Sequence, residues 1–153
     1  MSLNRIVILL GFLISLSGRC DTWLASGGFG LTFSPTLVLL SPQLEYPYKP
    51  RVYVGPLLQL GIGDATLFTG TGTVRYLVGD HPKFKPCFEG GLGVAAGGSS
   101  FSSSMGVHIL LGMGFDYQVE PDMSVGTVFR ANFAPPLKTF IMSWPLIVAR
   151  FRI

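Results

Sequence analysis

Apolar and polar residues alternate with a period of two along most of the chain beyond residue 50. In Ser104–Val119 every odd-numbered residue is apolar or aromatic, and Leu110 is the only large apolar residue at the even positions. Successive side chains of a β-strand point to opposite faces, so this segment predicts a strand with one apolar and one small or polar face. The same contrast recurs in four further segments: Arg51–Gly63, Ala65–Val78, Lys83–Gly97 and Asp122–Ala134.

Turn-forming residues between these segments set the number of predicted strands. Clusters of Gly, Pro, Asp and Ser mark five turns: Gly63–Asp64, Gly79–Pro82, Gly97–Ser103, Glu120–Asp122 and Pro135–Pro136. Before residue 50 the alternation is weaker, and we interpret Ser34–Pro35 as a turn and Pro47–Pro50 as the turn into the third strand. The remaining strands are Thr22–Phe33, Thr36–Tyr46 and Lys138–Ile153. The total is eight strands, or seven if Ser34–Pro35 does not turn.

The placement of charge distinguishes a membrane barrel from a soluble one. All charged residues and histidines of the five alternating segments fall on the less apolar face: Arg51, Arg75, Lys83, Lys85, Glu89, His108, Asp116, Asp122 and Arg130. An Arg or Lys on the lipid face near the bilayer midplane costs about 2–4 kcal/mol, so a barrel in a membrane has to segregate charge in this way. A soluble barrel would carry its apolar face inside and its charges outside.

Composition agrees with a membrane protein that has no spanning helix. Hydrophobic residues make up 48% of the 153 residues and charged residues 12%, and the mean hydropathy is +0.51. Beyond the N-terminus no stretch provides the ~20 apolar residues that a spanning helix needs; Ile109–Val119 is interrupted by two glycines and Asp116. Backbone groups in lipid must be hydrogen-bonded internally, which leaves a closed barrel. We therefore expect an all-β, antiparallel up-and-down transmembrane β-barrel.

The N-terminus has the plan of a secretory signal peptide. Arg5 precedes an apolar stretch, Ile6–Leu16, that is too short to span a membrane, and small residues follow it. We expect a signal peptide and lead over residues 1–20 and the barrel over 21–153. The alternatives are an uncleaved first strand or a buried helix, although both alternating faces of the apolar stretch are apolar, which argues against a strand.

The two cysteines predict no particular chemistry. Cys20 follows Arg19, whereas a bacterial lipidation motif needs a small residue directly before the cysteine, so we do not expect lipidation. A disulfide between Cys20 and Cys87 is conceivable in an oxidising periplasm, but nothing in their spacing supports it. Two lone cysteines do not make a metal site.

The C-terminal segment Trp144–Ile153 resembles the closing strand of bacterial outer-membrane proteins. In that family the last strand ends in an aromatic or hydrophobic residue preceded by alternating apolar residues; Ile147, Ala149, Phe151 and Ile153 fit this pattern. The resemblance to OmpA-like and other eight-stranded barrels implies an outer-membrane location, contact with membrane lipid and lipopolysaccharide, and delivery by the barrel-assembly machinery through this strand. We expect a monomer. The net charge of +3, without a Lys/Arg run, gives no reason to expect nucleic acid binding.

If both termini face the periplasm, aromatic residues gather near the periplasmic end of the lipid face. An aromatic girdle belongs at such an interface. Its predicted members are Trp23, Tyr46, Tyr76, Phe84, Tyr117 and Phe151. The loops at the other end are all short, so they offer little surface for a receptor.

Polar residues on the inner face predict a filled lumen. They are Arg51, Gln59, Arg75, Glu89, His108, Asp116, Arg130 and Asn132. Eight strands leave an interior just wide enough for side chains to fill, and buried charges need partners. We expect Glu89 and Asp116 to pair with Arg75 and Arg130; a narrow pore or a ligand cleft is the alternative.

No catalytic, cofactor-binding or metal site is predicted, and we expect no enzyme. Lipid A deacylases resemble this chain in fold and use a His and a Ser two residues apart on the lipid-facing side. Here Ile109 and Leu110 follow His108, so that spacing is missing. The expected function is structural, in envelope integrity, with a small pore or a carrier of hydrophobic molecules as the alternative and a lipid A-modifying enzyme behind both.

The apolar face of the last strand changes from even-numbered to odd-numbered residues along its length. Its even-numbered residues are apolar from Phe140 to Val148, whereas its odd-numbered residues are apolar from Ile147 to Ile153. One extra residue in a β-bulge flips the faces beyond it, and Pro is tolerated at bulges. We predict a bulge within Ser143–Leu146. Phe140, Met142, Phe151 and Ile153 should then face lipid, and Arg150 and Arg152 should point inward toward Glu89 or Asp116.

Overall fold

The computed structural model describes residues 23–33, 36–99, 102–135 and 139–153. Every strand pairs antiparallel with its neighbours in the chain, and β1 pairs with β8, so the eight strands close into a barrel. This confirms the predicted up-and-down fold and its strand count. No helix in these ranges has the length and apolar character to cross a membrane. The strands are β1 (Leu24–Phe33), β2 (Leu37–Lys49), β3 (Val52–Ile62), β4 (Thr66–Leu77), β5 (Phe84–Ser99), β6 (Ser102–Glu120), β7 (Met123–Ala134) and β8 (Thr139–Arg152).

Two predicted strand boundaries were wrong. β2 continues through Pro47 to Lys49, where a register shift accompanies its pairing with Val52; Pro is tolerated beside such an irregularity because the ladder hydrogen bonds are already interrupted there. β5 and β6 pair as far as Ser99 and Ser102, so their connection is shorter than the predicted turn over 97–103. The predicted signal peptide, including Cys20, lies outside the described residues.

The alternation of the sequence becomes the two faces of the barrel wall. On β6 the side chains of Met105 and Leu111 are 72% and 66% exposed, whereas His108 and Leu110 are fully buried. The other four alternating segments keep the predicted phase in their strands. The outer surface is therefore apolar and the inner surface carries the polar residues, as a barrel surrounded by lipid requires.

The bulge in β8 lies at Leu146, as predicted. Against β1, Phe29 pairs with Ile147 and Gly30 pairs with Pro145, which leaves Leu146 as the extra residue. Interior positions change from odd to even numbers across it, from Ile141 and Ser143 to Val148 and Arg150; Phe140, Trp144, Ile147, Phe151 and Ile153 lie outside. Arg152, at the mouth of the barrel, is half exposed and lies 3.8 Å from Asp122, so the prediction that it reaches Glu89 or Asp116 was wrong.

Two side chains on the outer face satisfy the polar groups of the bulge. The Thr127 hydroxyl donates to the carbonyl of Pro145 at 2.9 Å and accepts from Trp144 Nε1 at 2.8 Å. A carbonyl left unpaired in lipid would cost several kcal/mol. On the neighbouring strand, a Cβ at Gly30 would collide with the carbonyl of Trp144, so the close approach of the two backbones at the bulge requires glycine there.

Small apolar clusters lie toward the two ends of the interior. The terminal end is where the chain enters β1 and leaves β8. Leu77, Cys87 and Val128 pack together on that side, with Tyr53 against them, and Leu37, Leu67 and Ile141 pack together near the opposite end. Cys87 is thus a buried member of this apolar cluster inside the barrel.

Candidate functional site

The lumen toward the terminal end holds a group of four charged side chains that share hydrogen bonds. Arg75 donates from Nε and Nη2 to the two oxygens of Glu45 and from Nη1 to Asp116, all at 2.7 Å. Arg150 donates from Nη1 to the other oxygen of Asp116, and its Nε lies 3.8 Å from Glu45. All four residues are at most 3% exposed. The bidentate contact of Arg75 on Glu45 is the strongest geometry available to such a pair.

A second ion pair lies further along the lumen. Arg130 donates from Nε to Glu89 and from Nη2 to the second Glu89 oxygen at 3.4 Å. Gln43 connects the two groups, since its Oε1 accepts from Arg130 and its Nε2 donates to Glu45. In the part of the lumen that the structure describes, three buried arginines therefore balance three buried carboxylates: Arg75, Arg130 and Arg150 against Glu45, Glu89 and Asp116.

The side chains beyond this pair, toward the opposite end, are neutral. Asn132 Nδ2 donates to the carbonyl of Ile141 at 3.0 Å and to the Ser143 hydroxyl at 2.8 Å, so its Oδ1 is left to accept from His108 Nε2 at 3.1 Å. The Thr71 hydroxyl lies 2.7 Å from His108 Nδ1. His108 thus has a partner on each ring nitrogen and no carboxylate among them. Gln59 bridges Ser143 and Thr69 on the far side.

Seven of the eight predicted lumen residues lie in this interior and one does not. Arg51 occupies the turn between β2 and β3 with a positive φ of 68°, and its exposed side chain pairs with Asp80. The prediction was wrong for this residue because β2 runs on to Lys49, which moves the turn to positions 50 and 51. The seven buried residues are Gln59, Arg75, Glu89, His108, Asp116, Arg130 and Asn132.

Sequence reasoning missed Glu45, the carboxylate with most contacts in the network. β2 carries apolar residues on both faces at its start, Leu37 and Leu39 inside and Val38 and Leu40 outside, so no phase was evident. The signal was present in its second half, where the odd positions continue from Ser41 and Gln43 to Glu45. The predicted pair of Arg75 with Asp116 exists, but Glu45 and Arg150 complete it.

The six aromatic residues predicted as a girdle all lie toward the terminal end of the barrel. Tyr76, Phe84, Tyr117 and Phe151 are 41–47% exposed on the outer face. The rings of Trp23 and Tyr46 pack against each other with centroids 5.5 Å apart. Outward-facing Tyr and Phe rings near one end of the barrel are compatible with a membrane interface, and the girdle stays a prediction.

The interior contains no arrangement of a nucleophile, a base and an acid among the described residues. The neighbours of the His108 ring are Thr71 and Asn132, and the ring is fully buried in the lumen rather than open to lipid. Within the same ranges, no group of three or more His, Cys, Asp and Glu side chains is placed to hold a metal ion. What the arrangement does chemically is fill and neutralise the lumen.

Comparison with known proteins identifies the fold. No family model and no curated protein matches the chain. Among solved structures, Neisserial surface protein A is 14% identical, with 88% of this chain and 98% of that chain covered and a TM-score of 0.68. The N-terminal β-barrel domain of Pseudomonas aeruginosa OprF is 12% identical over 86% and 96%, with a TM-score of 0.71.

The outer membrane enzyme PagL matches as well, at 18% identity over 85% of this chain and 99% of that chain with a TM-score of 0.56. De novo designed transmembrane β-barrels are also similar, at a TM-score of 0.59. Because one architecture serves an enzyme and designed proteins alike, the likeness decides no activity. The chain has the fold of the small eight-stranded bacterial outer-membrane β-barrels.

Proposed function

We propose that this protein resides in the bacterial outer membrane as a closed barrel with a structural role in the envelope. The observation that carries the proposal is the filled lumen. Arg75, Arg130 and Arg150 are each at most 2% exposed and each contacts a carboxylate from another strand. A path for ions would have to break these contacts, and the cost of separating buried charges opposes that.

The outer surface supports membrane residence. Large apolar side chains cover the outward face of all eight strands; examples are Phe29, Leu58, Leu92, Leu111 and Phe133. A water-soluble monomer rarely exposes a contiguous apolar patch of more than a few hundred Å². Lipid contact accounts for this belt, and the terminal-end aromatics account for its periplasmic edge if both termini face the periplasm.

The alternatives receive less support. A pore needs a continuous open lumen, whereas the interior cavity at the terminal end has a volume of about 40 Å³. Lipid A hydrolysis needs a base that reaches the lipid, and His108 faces inward between Thr71 and Asn132. Recognition of β8 by the barrel-assembly machinery is part of the proposal, on the strength of the apolar C-terminal alternation. A monomeric state is part of it as well.

Cell fractionation tests residence. The mature chain should be recovered with outer membranes, and the unheated sample should migrate on a denaturing gel at a position different from the boiled one, because a closed barrel resists unfolding by detergent. A chain recovered as a soluble monomer without detergent would reject the proposal.

Liposome swelling tests closure. Vesicles that contain the folded protein should swell in arabinose or glycine solutions no faster than empty vesicles, while vesicles with a porin at equal protein content swell rapidly. The gel shift on the same vesicles verifies insertion. Swelling that rises with the amount of folded protein would favour the pore.

A further inference from the structure

A small chamber opens at the terminal end of the lumen, and the charged group forms its inner wall. We call this cavity of about 40 Å³ the terminal vestibule. Tyr53, Leu77 and Ser124 form part of its wall. Its charged lining consists of Arg75, Lys85, Arg150, Arg152, Asp116 and Asp122.

The charges around the vestibule do not balance. Four cationic side chains and two carboxylates line it, and Glu45, which contacts both Arg75 and Arg150, adds a third carboxylate. Four positive charges against three negative ones leave one in excess. The least neutralised cation is Lys85, whose Nζ donates to the neutral Gln118 Oε1 at 3.0 Å.

One buried guanidinium on this wall has unused donors. Arg150 Nη2 and Nε have no hydrogen-bond partner among the described residues, although the side chain is 1% exposed. Arg75, in the same group, donates from Nε, Nη1 and Nη2. A buried charged donor without an acceptor is destabilising, so an acceptor that reaches Arg150 through the vestibule would be favoured.

We propose that the terminal vestibule binds one small monovalent inorganic anion, of the size of chloride, through Arg150 and Lys85. One negative charge cancels the excess and supplies an acceptor for the free guanidinium N–H. The volume fits a small ion: a bound water needs roughly 10–15 Å³ of such volume, so the chamber accommodates an ion equivalent to a few waters. The site is independent of the role proposed for the barrel.

Anion-dependent stability of the folded protein in a non-ionic detergent is the test. Urea unfolding, followed by the fluorescence of Trp23 and Trp144, is compared in sodium chloride and in sodium gluconate at equal ionic strength, since gluconate is too large for the chamber. An anion that binds only the folded state at a hundred times its Kd multiplies the folded-to-unfolded ratio about 100-fold. We expect a saturable rise in the urea midpoint with chloride and none with gluconate.

Matched variants locate the effect. Lys85→Gln and Arg150→Lys should lose the saturable rise in the urea midpoint with chloride. The first removes the excess positive charge, and the second removes the guanidinium N–H groups that have no acceptor. Lys83→Gln makes the same change on an exposed side chain outside the vestibule and should retain it. If Arg150→Lys fails to fold, Lys85→Gln against Lys83→Gln decides. Equal responses in these two variants, or no difference between chloride and gluconate in the wild type, would overturn the proposal.

A crystal grown in sodium bromide provides the direct observation. An anomalous peak within hydrogen-bond distance of Arg150 Nη2 supports the site. Bromide found on the protein surface alone, an adventitious ion only, rejects it.

Discussion

The two halves of the lumen are filled by different chemistry. Toward the terminal end, three arginines and three carboxylates neutralise each other across strands. Toward the opposite end, His108, Asn132, Gln59 and Thr71 form neutral hydrogen bonds beneath an apolar cluster. Both halves occupy the interior. They differ in how much stability the loss of one member removes, because an unpaired buried charge costs more than an unpaired neutral group.

β8 serves both halves through its bulge. Before Leu146 its interior residues, Ile141 and Ser143, belong to the neutral half; after it, Val148 and Arg150 belong to the charged half. The bulge therefore allows odd-numbered residues before it and even-numbered residues after it to face the same lumen.

A one-residue insertion beyond the bulge should have the largest effect. An alanine inserted between Ile147 and Val148 shifts every later residue of β8 by one position against β1, so Arg150 turns to lipid and Phe151 enters the charged group. Asp116 and Glu45 then lose one of their two cations, and an arginine on the lipid face costs about 2–4 kcal/mol near the midplane. We expect little or no folded barrel in refolding assays read by gel shift. Deletion of Leu146 is the control, because it removes the extra residue, leaves regular pairing with β1 and keeps Arg150 inward; a deletion that refolds no better than the insertion would contradict the bulge.

Arg130→Met should have the second largest effect. It should lower the free energy of unfolding by about 3–5 kcal/mol, because Glu89 then stays buried without its cation. The double variant Glu89→Met/Arg130→Met removes both charges and should recover most of the loss. Urea titrations of the two single variants and the double variant give the coupling between the residues. A double variant less stable than Arg130→Met would mean that the pair itself, rather than its imbalance, stabilises the barrel.

The same substitution, glycine to alanine on the inner face, compares the stability of the two halves. A Cβ at Gly112 would lie 2.6 Å from Glu89 Cγ and 2.9 Å from Oε1, so Gly112→Ala pushes Glu89 away from Arg130. A Cβ at Gly61 meets the flexible end of Leu37 at 2.9 Å. We expect Gly112→Ala to lower the free energy of unfolding by about 1–3 kcal/mol and Gly61→Ala to lower it by about 1 kcal/mol or less. Urea titrations of both variants and the wild type measure these losses. The reverse order would remove the distinction between the halves.

Thr71→Val should have the smallest effect. It keeps the shape of the side chain and removes the hydroxyl partner of His108 Nδ1, which costs about 1 kcal/mol for a neutral hydrogen bond. Unfolding titrations measure it, with Thr66→Val on the exposed outer face as the control. A loss as large as that of Arg130→Met would mean that the neutral half is as sensitive as the charged one.

Much of the fold could be predicted from period-two alternation. Charged residues such as Arg75 and Arg130 fix the phase of a strand, because lipid penalises them on one face and the lumen accommodates them on the other. The bulge was predictable by the same rule, since the apolar face of β8 changes parity between Phe140 and Phe151. A local pattern suffices where one face of a strand must be apolar.

The rest depends on contacts between distant strands. Glu45 meets Arg75 and Arg150 only because β2, β4 and β8 face one another across the lumen, and β2 opens with leucines on both faces that hide its phase. Arg51 shows the converse. Its parity matched the lumen, but the length of β2 moved it into an exposed turn.

Single-channel recording tests most directly whether the two halves close the lumen. The folded protein is inserted into planar bilayers in concentrated potassium chloride, with a porin as positive control and the gel shift as proof of folding. The interlocked arginines, carboxylates and neutral side chains predict no conductance steps. Reproducible steps whose amplitude scales with salt concentration would contradict a filled lumen.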